Sequence, residues 1–254
     1  MPDILERVQQ LVAAETPVAL VTVVGGPQAV GRKLLVFSDG SAEGSLGWPE
    51  LEERVRPAAV QLLDQGRSQT LTFPELGDAE VFVDVYPPPP TLLIFGGVHV
   101  GVALARFAKL LGFRVKVIDA RGKFASPERF PDADEIVIAH AEDYLRTTKL
   151  TSSTYVAVLT HDPKLDDPAI ILTLPSPARY VGAIGSKKTN AARRERLRAA
   201  GLSEEQLARL HGPIGLDLGA RTPEEIALSI IAEIVAVKNG RATVPGRGIV
   251  QPRE

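Results

Sequence analysis

Residues 91–112 read TLLIFGGVHVGVALARFAKLLG, and the fold turns on this stretch. Five β-favouring residues run into a pair of glycines. Beyond them Val98, Val102, Leu104, Ala105, Ala108 and Leu111 recur at helical spacing. The stretch therefore reads as a strand, a tight turn and a helix. A second apolar run at 113–118 follows directly and ends on Asp119, completing a β-α-β unit with an acid at its second strand's tip. Such units hold dinucleotides. The helix N-terminus, with unpaired N–H groups and the positive end of the helix dipole, takes the phosphates, and the acid takes the ribose hydroxyls.

Toward the C-terminus the alternation continues. EIVIA (135–139), TYVAVLT (154–160) and ARYVGAIG (178–185) read as strands, separated by helical stretches at 141–148, 166–174 and 187–200. Strands alternating with helices predict a Rossmann-like, doubly wound parallel sheet whose ligand lies beyond the strands' C-terminal ends. Ser203 with Gln206 spells a capping box that opens a short helix. PIGLDLGAR is a glycine-rich loop, and Thr222, Pro223 and Glu225 start a last helix reaching Asn239. The tail, 241–254, is expected to be loosely ordered.

Toward the N-terminus the pattern is different. A helix over 4–14 carries Leu5, Val8 and Leu11 or Val12 on one face. VALVTVV (18–24) reads as a buried strand, KLLVFSDG as a second strand with its turn, and SAEGSLG as a short third. A helix over 49–66 and strands at 69–73 and 80–86 complete a small α+β domain, 1–86. The four prolines at 87–90 favour a stiff polyproline II spacer, which sets the domain boundary ahead of the Rossmann-like domain, 91–254.

Composition narrows the function classes. With 254 residues and 27.2 kDa the chain buries a full core unaided, and a net charge of -2 with a pI near 6.1 gives no footprint for nucleic acid or membrane. No apolar run approaches the roughly 20 residues that span a bilayer, and the first ten residues suit an amphipathic helix rather than a signal peptide. A cytoplasmic location is the expectation. The absence of cysteine excludes disulfides, thiolate metal sites and a cysteine nucleophile, and His99, His140, His161 and His211 lack zinc-motif spacing. No metal site is expected.

The candidate site residues lie at the strand tips. Gly96, Gly97, Val98, His99, Val100 and Gly101 fill a G-x-G-x-x-G frame with valine at its second glycine, where a side chain crowds a pyrophosphate. Asp119 either accepts from a ribose or pairs with Arg121. His99, at the helix start, either donates to a phosphate or faces solvent. Thr160, His161 and Asp162 sit at the tip of a central strand. Gly185, Ser186, Lys187 and Lys188 place two cations at a helix N-terminus, against the dipole, which favours a bound anion there. Residues 193–198 read as a solvated basic face. Asp217 lies in the loop before the last helix, a further anion site or simply a turn. No catalytic triad or carboxylate pair is specified.

The chain resembles the XdhC/CoxI family of accessory proteins for molybdenum hydroxylases such as xanthine dehydrogenase. The resemblance runs through FGGVHVG, LGFRVKVIDAR, FASPERFPDAD, LTHDPKLDDPAI, YVGAIGSKK and PIGLDLGARTPEEIALSIIAEIVA, and also through VALVTVV, GRKLLVFSDG and EGSLG. It implies a non-catalytic homodimer that binds the molybdenum cofactor (molybdopterin), protects it during sulfuration and delivers it to an apo molybdenum hydroxylase, with a cysteine desulfurase as a further partner. By position, Gly96, Gly97, Val98, His99, Gly101, Asp119, Thr160, His161, Asp162, Gly185, Ser186, Lys187 and Asp217 would line the cofactor cleft. The family's G-S-I-G-G-G-C-x-E reads here as Gly44, Ser45, Leu46, Gly47, Trp48, Pro49, Glu50, Leu51 and Glu52, so Glu50 replaces the cysteine. Two alternatives stand beside this: an NAD(P)-binding oxidoreductase, and an interaction scaffold that has lost cofactor binding.

Overall fold

The computed structural model describes residues 4–241 and the backbone of 243–244 and 248–249. The chain divides into two compact units, Met1–Pro88 and Pro89–Glu254.

The first unit contains α1 (Ile4–Ala13), β1 (Val18–Gly25), β2 (Lys33–Phe37), β3 (Ala42–Ser45), α2 (Pro49–Gln65), β4 (Gln69–Phe73) and β5 (Ala79–Tyr86). Its five strands form an antiparallel sheet in the order β3-β2-β1-β5-β4. Both faces are covered, which is why β1 is apolar without alternation. Ala19, Val21 and Val23 join Leu51, Val55 and Leu62 of α2 in one core, while Val18 and Leu20 join Val8 and Leu11 of α1 in another. Of the two residues offered for one position, Leu11 is buried and Val12 exposed; Leu5 is exposed, and Ile4 packs against the core instead. Gly66 ends α2 in the left-handed conformation (φ 64°), as a residue without a Cβ does at low cost.

The second unit runs β6 (Thr91–Phe95), α3 (His99–Leu110), β7 (Arg114–Ile118), β8 (Glu135–Val137), α4 (Ala141–Thr147), β9 (Thr154–Val158), α5 (Pro163–Thr173), β10 (Tyr180–Ala183), α6 (Lys187–Ala199), α7 (Glu204–Ala208), β11 (Leu210–His211) and α8 (Pro223–Lys238). Six parallel strands take the order β11-β10-β9-β6-β7-β8. Successive residues of β6 point to opposite faces. Leu92 and Ile94 pack in the core with Leu104 of α3 and Ile230 of α8, whereas Leu93 and Phe95 pack in the core with Tyr144 of α4, Ile170 of α5 and Leu197 of α6. The chain leaves β6 toward β7 on one side and returns to β9 on the other. The C-terminal ends of β6 and β9 are thus the point where strand order reverses, the usual ligand crevice of open α/β sheets.

Strands β8 and β10 are shorter than the sequence reading, and two further elements depart from it. The strand β11 is only two residues long and carries no periodicity. Helix α5 begins three residues before Asp166 because the Asp162 side chain accepts from the amide of Lys164 and Pro163 occupies the first turn. The tail lies mostly outside the described residues; within it β12 (Thr243–Val244) and β13 (Gly248–Ile249) pair antiparallel.

Candidate functional site

The glycines of the β6–α3 turn are explained by close approach of backbone. At Gly96 (φ 111°) a Cβ would lie 2.6 Å from Cγ2 of Thr160, and at Gly97 only 2.2 Å from the carbonyl oxygen of Phe124. A Cβ on Gly101 would come within 3.1 Å of the Gly96 carbonyl, so the helix sits directly on the turn. Val98 is extended (φ −84°, ψ 169°), a conformation any residue adopts, and its side chain packs against the core. As N-cap of α3 it offers no side-chain acceptor, and the first turn holds no acid. The first amides of α3 are left without a side-chain cap, beside an exposed His99.

Asp119 is almost wholly buried, and its side chain turns inward. One oxygen accepts from the Gly97 amide (2.8 Å) and from Nη2 of Arg121 (2.8 Å); the other accepts from the amide and Nε of Arg121, both at 2.9 Å. Burial raises its pKa, but the donors from Arg121 and Gly97 outweigh that and hold it below the ordinary value. Of the two roles open to this acid, the structure shows the pairing with Arg121. A ribose would have to displace that guanidinium, which also stacks 4.2 Å above the Phe124 ring.

At the tip of β9, His161 is exposed and left-handed (φ 67°). Its neighbours hold it there: the Asp162 amide donates to Oγ1 of Thr160 (3.2 Å), and the Asp166 amide to the carbonyl of Asp162 (2.8 Å). Thr160 itself points down, donating its hydroxyl to Oδ1 of Asp166 at 2.6 Å. Asp162 is committed as the cap of α5.

At the tip of β10, Gly185 (φ 133°) turns into Ser186, which caps α6 by accepting from the Thr189 amide (3.1 Å). Lys187 and Lys188 are exposed, no acid occupies the first turn, and neither lysine has an ion-pair partner among the described residues. The basic face expected over 193–198 is solvated only at Arg196 and Arg198. Arg193 is buried, donating to Oδ2 of Asp166 (2.9 Å), the Ile184 carbonyl (2.9 Å) and Oδ1 of Asn190 (2.5 Å). Arg194 donates to the carbonyls of Leu207 and Leu210, and Arg196 to Asp167. Helix α6 packs between α5 and α7, so Arg193 and Arg196 reach acids of α5 and Arg194 reaches carbonyls at the end of α7.

Sequence reasoning missed this buried network. Asn190 donates to the carbonyls of Gly185 and Ser186, so Thr160, Asp166, Arg193 and Asn190 bind the tips of β9 and β10 into one floor. The available signal was Asp166, an acid four residues past the cap Asp162 on a helix facing the sheet. The tips of β6, β7, β9 and β10 are thereby brought together. Asp217 is exposed and has no hydrogen-bond or ion-pair partner among the described residues, so nothing ties it to the rest. No group of three or more His, Asp or Glu suited to a metal ion occurs among the described residues. What the strand tips offer is amide donors and unpaired cations, a set that suits an anion.

The XdhC Rossmann domain model matches residues 92–234, and the model described as the XdhC and CoxI family matches 11–74. The chain is 30% identical over 269 residues to the uncharacterized protein YqeB of Escherichia coli, covering 98% of this chain and 48% of that one. It is 31% identical over 176 residues to a probable xanthine dehydrogenase subunit from Bacillus subtilis, covering 69% and 51%. The molybdenum cofactor insertion chaperone PaoD of Escherichia coli is 29% identical over 92 residues, covering 36% and 29%. The chain spans about half the length, or less, of these curated relatives. A crystal structure of a xanthine dehydrogenase from Bacillus halodurans shares the fold at a TM-score of 0.55 and 21% identity, covering 94% of this chain and 96% of that one. With residues 92–234 and 11–74 matched by the two models, the chain belongs to the XdhC/CoxI family.

Proposed function

We propose that the protein is an accessory factor in the maturation of molybdenum hydroxylases, holding the molybdenum cofactor at the strand tips of its Rossmann unit for delivery to an apo-enzyme. The observation that carries this is the donor set: an α3 N-terminus without a side-chain cap, and two unpaired lysines on the first turn of α6. Both favour a phosphate, which the pterin of this cofactor bears. The names of the relatives from Bacillus subtilis and Escherichia coli point the same way.

The bound cofactor supplies the molybdenum chemistry of the hydroxylase that receives it. This chain's own residues orient and retain it. The amides of α3 and the lysines Lys187 and Lys188 hold the phosphate, and His161 stands exposed to meet the rest of the ligand. No thiolate is present to bind molybdenum or to carry sulfur, and Glu50, exposed on the first turn of α2, is a hard oxygen donor. Sulfur must therefore come from a partner, for which a cysteine desulfurase is the fitting class. The buried engagement of Asp119 weighs against an NAD(P) enzyme.

The test is equilibrium binding of the purified protein to molybdenum cofactor and, separately, to NADH and NADPH. Cofactor binding is expected to weaken at least tenfold in the double variant Lys187→Ala with Lys188→Ala, the loss of one charge-assisted contact being worth about 1.5 kcal/mol or more. Tight binding of NADPH with hydride transfer would overturn the proposal, and binding of none of the three would leave only a scaffold role.

A further inference from the structure

Helix α8 carries one acid in an otherwise apolar run, Glu233, and it is fully buried. Its Oε2 accepts from the Tyr180 hydroxyl at 2.5 Å and from the Gly215 amide at 2.9 Å. Its Oε1 lies 3.1 Å from Nδ1 of His211, outside hydrogen-bond alignment. The His211 ring lies over the Tyr180 ring, centroids 4.4 Å apart. Burial alone would raise the carboxyl, but His211, Tyr180 and Gly215 together hold it below the ordinary value, so it stays ionised. A buried charge is costly to keep, and an apolar residue would fill this place as well for packing alone.

Its amide partner identifies the role. Gly215 is the third residue of the segment PIGLDLGAR, and its φ of 91° favours glycine. A Cβ there would lie 2.5 Å from Oγ of Ser229. The next amide, Leu216, donates to the Ser229 carbonyl (3.1 Å), and the one before, Ile214, to the carbonyl of Ala183 at the end of β10 (3.0 Å). Gly182 completes the fit, since a Cβ on it would meet both Ile214 (2.6 Å) and the Tyr180 hydroxyl (2.7 Å). The loop is thus stapled at three successive amides, to β10, to Glu233 and to the backbone of α8. From that staple it runs out to Asp217 and Leu218, both exposed.

We infer that Glu233, held by Tyr180 and His211, is a positioning residue: its carboxylate fixes the Gly215 amide and so sets the wall that loop 212–219 presents to the ligand at the strand tips. The inference rests on the cleft being the cofactor site, and the experiment separates the two. Amide exchange at Gly215 and Leu216 is measured in the full chain beside thermal stability and molybdenum cofactor affinity. Glu233→Gln keeps one acceptor oxygen, whereas Glu233→Ala keeps none, and Tyr180→Phe leaves the Gly215 bond in place.

Exchange at those two amides is expected to rise at least tenfold in Glu233→Ala, less in Glu233→Gln and least in Tyr180→Phe, with amides of the β6–β7 pair unmoved. Cofactor affinity is expected to fall in the same rank order, with Glu233→Gln as the partial rescue. If Glu233→Ala does not fold, the ranking of the other two against the wild type decides. Unchanged exchange at Gly215 in Glu233→Gln would overturn the inference, as would a loosened loop with undiminished affinity. Failure of the wild type to bind cofactor would sink the function proposed above, while the exchange ranking would still decide whether Glu233 fixes the loop.

Discussion

At the scale of single residues, two buried acids near the cleft titrate in opposite directions. Arg121 and the Gly97 amide hold Asp119 below its ordinary pKa, whereas burial outweighs Thr160 and Arg193 and pushes Asp166 up. The signs follow from linkage. Asp119 contributes stability that is fully present above the unfolded carboxylate value, about 3.9, and is lost as the pH falls through its lower folded value. Asp166 does the reverse: ionised, it costs stability above its raised folded value, and the cost is relieved as the pH falls toward about 3.9. Asp119→Asn should therefore be less stable than the wild type near neutrality, with the gap closing as urea denaturation is repeated from pH 6 down to pH 2. A gap independent of pH would mean that shape, and not charge, makes Asp119 matter. The sequence offered Asp119 two roles, and choosing between them needed the position of Arg121. Arg193 was misread for a related cause: residue type marks a cation, but only packing between α5 and α7 shows that it is buried.

At the scale of elements, the two helices opened by a capping box, α7 and α8, had starts legible to within a residue or so. In α8 the Thr222 hydroxyl accepts from the Glu225 amide, Glu225 reaches back to the Thr222 amide, and Pro223 fills the first turn. Thr222→Ala should cost about 1 kcal/mol, read as a lower denaturation midpoint at unchanged slope. The capping box of α7 was equally readable, through Ser203 and Gln206. What escaped was β11, since two residues cannot display a period of two, and the true start of α5, which rests on Asp162 serving as a cap. In the site, the glycine turn and the lysines were visible as motifs. The floor of Asp166, Arg193 and Asn190 was not, because its members are brought together by tertiary contacts across 27 residues of chain between Asp166 and Arg193.

At the scale of the whole molecule, each unit has its own core, and strand pairing stays within each. We propose the proline run as a true domain boundary. A chain beginning at Pro89 should fold alone, with a single cooperative urea transition and unchanged cofactor affinity at the strand tips; a molten, non-cooperative transition would show that the units depend on each other. The central place of β6 bears on how that unit comes into being. Its pairing with β7 joins Thr91 to Arg114 through a β-α-β unit close in sequence, whereas its pairing with β9 joins Thr91 to Thr154. Near contacts close ahead of distant ones, because loop closure costs more entropy as the chain between lengthens. The β6–β7 pairing is therefore expected to form before the β6–β9 pairing, and the crevice, which needs both, is expected to be the later product of folding. A partner that recognised the crevice would be recognising, by the same contacts, a chain in which β9 and β10 have already joined the sheet.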